Sequence, residues 1–172
     1  YRLDIWEPNI KKHLKFLDSK YDKPIIYTGD FNVAPREKDI WFGTNLEFKL
    51  KDETDPDKIK KLKRKINSKK KLHTGESKTI LCGYTKEERS SFSKLLDECK
   101  FIDCYRHLYP DIYNKFSWFN IRIKNSFINN LGWRIDMFLI QNKFKNIILN
   151  CDILSLIGIY NRNNKMISDH LP

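Results

Sequence analysis

Asp30 and Asn32 stand two residues apart at the end of the run Pro24-Ile25-Ile26-Tyr27-Thr28-Gly29, with Pro35 just beyond. Side chains two apart on an extended chain share one face. A carboxylate beside a carboxamide can orient water next to a phosphate or a metal. The same pair also suits an Asx-turn, in which each side chain caps its own backbone. Asp136 lies inside the apolar run 133–140, where an unpartnered carboxylate is costly. Its candidate partners are Arg134 and His170. An Asp that accepts from one imidazole nitrogen fixes the tautomer and favours imidazolium. An imidazolium beside a phosphate stabilises developing negative charge. Asp169, next to His170, adds a carboxylate near that cation. A lone His is usually structural or solvated, so it is the set Asp30, Asn32, Asp136, Asp169 and His170 that points to phosphoester chemistry.

The elements that must position these groups follow from periodicity. Leu3, Trp6, Ile10, Leu14 and Leu17 recur at helical spacing, which predicts a helix over 3–17. The run 24–30 reads as a buried strand ending in a turn, and 36–46 as a loop. Thr85-Lys86-Glu87-Glu88 is a capping box that opens a helix with Phe92, Leu95, Leu96 and Cys99 on its apolar face. A short strand or turn follows at 101–104, then a loop at 106–110. Strands are expected at 115–121, 133–140, 144–149 and 152–157, with a turn at Asn129-Asn130.

The chain has 172 residues and a net charge of +11, with a pI near 9.4. The length suffices for one core, and the charge points to a polyanionic partner such as nucleic acid or an anionic membrane surface. No run is long and apolar enough to span a membrane, and no signal-peptide pattern opens the chain. Tyr1 is not a natural start, so an internal piece of a longer protein is expected. The four cysteines show no zinc spacing and read as reduced thiols. Residues 47–79 carry twelve basic residues against six acidic ones, about +6 of the total. With apolar residues so sparse, the segment reads as a solvated, flexible insertion, or alternatively as a basic arm on the DNA backbone. Gly75-Glu76-Ser77-Lys78-Thr79 mimics a P-loop end but lacks its strand and the glycine before lysine.

Gly29-Asp30-Phe31-Asn32, Arg134-Ile135-Asp136 and Ser168-Asp169-His170 match, in order, three motifs of the endonuclease/exonuclease/phosphatase superfamily. The chain more narrowly resembles the exonuclease III family of apurinic/apyrimidinic (AP) endonucleases. That likeness rests on Gly83-Tyr84-Thr85 with Glu88-Arg89, on 106–110, on Phe116-Ser117-Trp118-Phe119 and on Leu131-Gly132-Trp133. The resemblance covers most of the chain but not the insertion.

The resemblance implies an α+β fold, the DNase I-like four-layer α/β-sandwich, of which this chain supplies roughly the C-terminal half of a single domain. It implies a Mg²⁺-dependent hydrolase, with Mn²⁺ able to substitute, that cuts duplex DNA on the 5′ side of abasic sites by in-line attack of water. Asp30 would activate or orient the water or protonate the leaving group, and Asn32 would position the water. Asp136 would hold His170 on the scissile phosphate. Asp169, with Asp30 and Asn32, would lie in the metal environment. Trp118 and Trp133 would wall the slot for the flipped abasic sugar, and Arg122 would contact DNA. A monomer acting on DNA rather than on a membrane is expected, in the nucleus or a DNA-containing organelle if eukaryotic. The family's principal metal carboxylate, a Glu, has no match here, so the isolated chain is expected to be inactive. The competing readings are a non-catalytic nucleic-acid-binding fragment and a superfamily phosphodiesterase acting on phosphoinositides, sphingomyelin or RNA tails.

Overall fold

The helical period at the start of the chain is realised as a π-type turn, Arg2–Trp6, running into helix α1, Glu7–Lys20. Pro8 lies in its first turn, where a missing N–H costs nothing. This computed structural model describes residues 1–41, 50–51, 53–76, 81–154 and 168–171. Four further elements build the core around α1. They are strand β1, Ile26–Asp30, helix α3, Lys86–Cys99, strand β2, Phe101–Asp103, and strand β5, Asp136–Gln141. The strands form an antiparallel sheet in the order β1-β5-β2, with Asp30 paired to Asp136 and Ile102 to Ile140. One face is packed: Met137, Leu139 and Phe101 meet Leu14 of α1 and Phe92, Leu95 and Cys99 of α3. Fully burying a side chain such as Phe92 or Leu95 stabilises by about 1.5–3 kcal/mol. The capping box at Thr85 and Glu88 forms as the sequence predicts.

The opposite face is only partly covered, with Ile140 buried. Ile26 is 60% exposed and Phe138 53%, so β1 is not the buried strand its apolar run suggests. Helices cover only one side of it.

A second layer is a two-stranded ribbon of β3, Trp118–Phe119, and β4, Gly132–Trp133. The strands read at 115–121 and 133–140 are therefore shorter. Arg134 and Ile135 leave both sheets because their backbones bond elsewhere: Arg134 N–H donates to the Asp39 carbonyl (2.8 Å) and Ile135 N–H to Ser117 Oγ (3.1 Å). Residues 106–110 are not all loop, since Cys104–Leu108 form the short helix α4, capped by Asp103. The strand expected at 144–149 is instead a 3₁₀ segment over Asn142–Ile147, and 152–154 are not strand. Residues 155–157 lie outside the described residues.

The insertion needs the largest correction. Pro56–Thr74 form a 19-residue helix, α2. Asp55 caps its first turn by accepting from Asp57 and Lys58 N–H, and Gly75 ends it in the left-handed conformation at φ 81°. Ile59, Leu62 and Ile66, at i, i+3 and i+7, supply an inward stripe that the lysines disguise. Ile66 is buried, and Leu72 packs against the cluster of Tyr84, Ile40 and Ile135. Residues 47–49, 52 and 77–79 of the insertion lie outside the described residues.

A buried ionic network joins the two layers. Asp39 Oδ1 accepts from Arg134 Nε (2.7 Å) and from Arg106 Nε and Nη2 (2.9 and 2.5 Å). Asp103 Oδ2 accepts from Arg134 Nη2 at 2.5 Å. Burial alone would push the Asp39 carboxyl up, but the Arg134 and Arg106 guanidiniums outweigh it and hold it below the ordinary 3.8. This contribution is present above that ordinary value and is lost as pH falls through the lowered one. Asp39→Asn leaves two buried guanidiniums short of their counter-charge. The variant should lose about 3–5 kcal/mol, read as a lower urea midpoint at neutral pH. A wild-type midpoint would show that the network carries no net stability.

Candidate functional site

The site forms where the sheet meets the ribbon. Asp30 ends β1, Asp136 begins β5, and the two are register partners with side chains on one face. Like charges directly opposed across a ladder are unfavourable unless a cation lies near. The ring of His170 lies beside them: its Nδ1 is 3.1 and 3.0 Å from the two oxygens of Asp136. Ser117 brings the pair together. Its Oγ accepts from Ile135 and Asp136 N–H (3.1 and 3.0 Å), and its carbonyl accepts from Leu171 N–H (2.7 Å). Phe119 N–H donates to the Asp169 carbonyl at 2.9 Å, so the segment 168–171 is stitched to the ribbon beside Asp136. Asp136 is half-buried, its side chain 29% exposed. Its partner is His170 and not Arg134, which the buried network claims.

Asp30 and Asn32 adopt the Asx-turn that their types allow. Asp30 Oδ1 accepts from Asn32 N–H at 2.7 Å, and Asn32 sits at φ 49°. The turn fixes Asp30 at the strand end and leaves the Asn32 side chain exposed. Sequence reasoning missed the support behind it. Arg2 Nη1 donates to the Phe31 carbonyl (2.6 Å), and Arg2 Nε donates to buried Glu7 (2.8 Å). No spacing signal connects Arg2 with residue 31. The one sequence hint is a Glu on the buried side of an amphipathic helix. Gly83, at φ 85°, backs the same turn, because a Cβ there would lie 2.9 Å from the Asn32 carbonyl oxygen and 3.2 Å from the Trp133 ring.

Trp118 and Trp133 stand edge to face, ring centroids 6.0 Å apart, and both are half-buried. Trp118 Nε1 donates to Asp169 Oδ2 at 3.0 Å, which orients that carboxylate. Tyr84 meets Trp133 edge-on at 6.3 Å. Arg122 is not brought to this cluster. It lies in an exposed turn, its N–H bonded to Asn120 Oδ1 at 3.0 Å.

Among the described residues no three His, Cys, Asp or Glu groups gather to hold a metal. One oxygen of Asp30 is engaged by Asn32 N–H and one of Asp169 by Trp118. Asp30, Asn32 and Asp169 therefore do not by themselves make the octahedral oxygen site that Mg²⁺ requires. What these residues can do is hold an imidazole in a fixed tautomer, present a carboxylate and a carboxamide at a strand end, and offer an aromatic wall beside them.

Solved structures share this fold. An AP endonuclease from Leishmania major superposes with a TM-score of 0.69 at 24% identity, over 99% of this chain and 42% of that one. An AP endonuclease from Archaeoglobus fulgidus gives 0.63 at 22%, over 99% and 51%. The fold is thus that of about half a DNase I-like α+β nuclease domain. An exodeoxyribonuclease of Bacillus subtilis is 30% identical over all 172 residues, which span 50% of its length. A DNA-(apurinic or apyrimidinic site) endonuclease of Dictyostelium discoideum is 28% identical over the same 172 residues, 36% of its length. No protein-family model matches the chain. The chain is a homologue of the exonuclease III/AP endonuclease family and spans about half the length, or less, of the curated relatives it matches.

Helix α2 reaches this wall through His73. Its Nδ1 lies 2.7 Å from the Tyr84 hydroxyl and 3.4 Å from Arg89 Nη1, and Arg89 Nη2 donates to the His73 carbonyl. Arg89 can only donate, so its contact calls for an unprotonated Nδ1, to which the Tyr84 hydroxyl can donate as well. Burial, followed by the Arg89 charge, lowers the His73 pKa below 6.5. The neutral clasp is therefore complete above pH 6.5 and lost as pH falls through the lowered value. Hydrogen exchange of the α2 amides should accelerate across that acid limb in the wild type and lose the extra pH dependence in His73→Gln. An identical pH profile in both would remove His73 from the docking of α2.

Proposed function

We propose that the protein containing this chain is a DNA repair endonuclease that hydrolyses the phosphodiester 5′ to abasic sites in duplex DNA. The observation that carries this reading is the His170–Asp136 pair set across the ladder from Asp30, in a chain whose relatives include named abasic-site endonucleases. Asp136 accepts from His170 Nδ1–H, which leaves Nε2 to donate to a phosphate oxygen and stabilise the charge that grows in the displacement. Asp30 orients the attacking water or gives a proton to the leaving oxygen, and the Asn32 carboxamide positions the water. Trp118 and Trp133 form the apolar wall for a sugar that carries no base, the nucleotide that is cheapest to flip. A dependence on Mg²⁺, with Mn²⁺ as substitute, and the completed four-layer sandwich are proposed for the whole protein on family likeness. The 172-residue chain alone is expected not to turn over. The partly covered sheet face with Ile26 and Phe138 supports a facing layer contributed by the rest of the domain.

The test is cleavage of a duplex with a single abasic site by the full-length protein, with and without Mg²⁺. Asp136→Asn should lower kcat by on the order of 10²-fold or more with KM little changed. Wild-type kcat in that variant would remove Asp136 from the reaction. Trp133→Ala should weaken binding of the abasic duplex more than of the undamaged one, and equal loss on both would mean that the tryptophan only packs. Metal-independent binding without cleavage by the full-length protein would favour a non-catalytic nucleic-acid binder.

A further inference from the structure

Helix α2 has two chemically opposite sides. Ile59, Leu62, Ile66 and Leu72 face the protein, and Lys69 bridges to Glu37 at 2.8 Å. Its nine lysines and arginines stand against one acid, Asp57, a formal charge of +8. Every one of them except Lys69 is exposed. Among the described residues, Lys58 is the one exposed member with an ion-pair partner, Asp55 at 3.9 Å. At helical spacing Lys60, Arg64 and Lys71 fall along the side opposite Ile66, and Lys61 lies beside them. A cationic row of this density repels itself, and segregating it on the outward face of a docked helix holds that repulsion in place.

We propose that the outer face of α2 is a phosphate-backbone contact that grips duplex DNA alongside the candidate site. The inference rests on the reading that this chain acts on DNA, and it adds the surface that holds the flank. Two observations favour duplex DNA. Nineteen residues at 1.5 Å each span about 28 Å, about the length of eight phosphates on one strand at 3.4 Å spacing. The C-terminal end of the helix is also fixed near the aromatic wall, since Leu72 packs against the same buried cluster as Trp118 and Trp133 and His73 meets Tyr84. The C-terminal end of the cationic row is thereby tied to the wall whose Trp118 pairs with His170. A contact of this kind carries no sequence information; it sets register and adds affinity.

The test is a salt titration of binding. The full-length protein is titrated, without divalent metal, into a short fluorescein-labelled duplex, undamaged or with one abasic-site analogue, between about 50 and 200 mM KCl. The variants are Lys60→Gln/Lys61→Gln/Arg64→Gln/Lys71→Gln and the same four positions as charge-keeping Lys↔Arg exchanges. Circular dichroism confirms that each keeps its helix content. The glutamine variant should lose about 3 to 4 from the slope of log K against log salt and bind at least tenfold more weakly at the lowest salt. The charge-keeping variant should match the wild type. The ratio of abasic to undamaged affinity should be the same in all three, because that ratio belongs to the tryptophan wall. A glutamine variant with wild-type slope and affinity would overturn the proposal, as would a wild type that prefers phosphatidylserine vesicles or single-stranded RNA to the duplex. A wild type that binds duplex through α2 but shows no abasic preference would overturn the reading of the site and leave this one standing.

Discussion

Everything at the candidate site hangs on one buried carboxylate, Asp39. It sits in a 3₁₀ turn with no exposure to solvent, and two guanidiniums from distant parts of the chain meet on its Oδ1. Arg106 comes from α4, and Arg134 comes from the two-residue step between β4 and β5. Arg134 extends the network to Asp103, which also caps α4. Such a cluster is a weak contributor to stability compared with apolar packing, but it is unforgiving once broken. It therefore specifies an arrangement. The step at Arg134 and Ile135 fixes where the ribbon ends and the sheet begins, and so which residue first joins β5. That residue is Asp136.

From this anchor the geometry runs outward through short hydrogen bonds and not through bulk. Ser117 holds the backbone of Asp136 and also of Leu171, so the carboxylate and His170 meet although 34 residues separate them. Asp30 faces Asp136 because the β1–β5 register places it there. Arg2 and Gly83 close the turn after Asp30 from behind. The aromatic wall is continuous with the packing of α2, which links the chemistry of the site to the basic face of that helix.

Much of this was legible in the sequence. Asp136 stands out because a carboxylate in an apolar strand needs a partner, and His170 was a candidate on chemical grounds. Arg134 was the distractor: its nearness to Asp136 in sequence hides the fact that its charge points into a different network. Nothing in spacing announces Asp39 or Asp103, because a buried ion network is a tertiary property of residues scattered along the chain. Helix α2 failed for a different reason. Composition argues for disorder, yet Ile59, Leu62 and Ile66 carry a usable helical stripe, with Asp55 and Gly75 as start and stop signals. Counting the period would have outweighed counting the charges. Strand β1 was misjudged in its burial, because an apolar run cannot report how many layers cover it.

The central claim is that this framework holds His170 as the Nδ1-protonated partner of Asp136, with Nε2 turned to the reacting phosphate. The most direct measurement is a long-range ¹H–¹⁵N correlation spectrum of the full-length protein with labelled histidine, assigned with His170→Gln. The account predicts a protonated Nδ1 on His170 that is lost or redistributed in Asp136→Asn. A His170 ring protonated only on Nε2, and unchanged by Asp136→Asn, would contradict it.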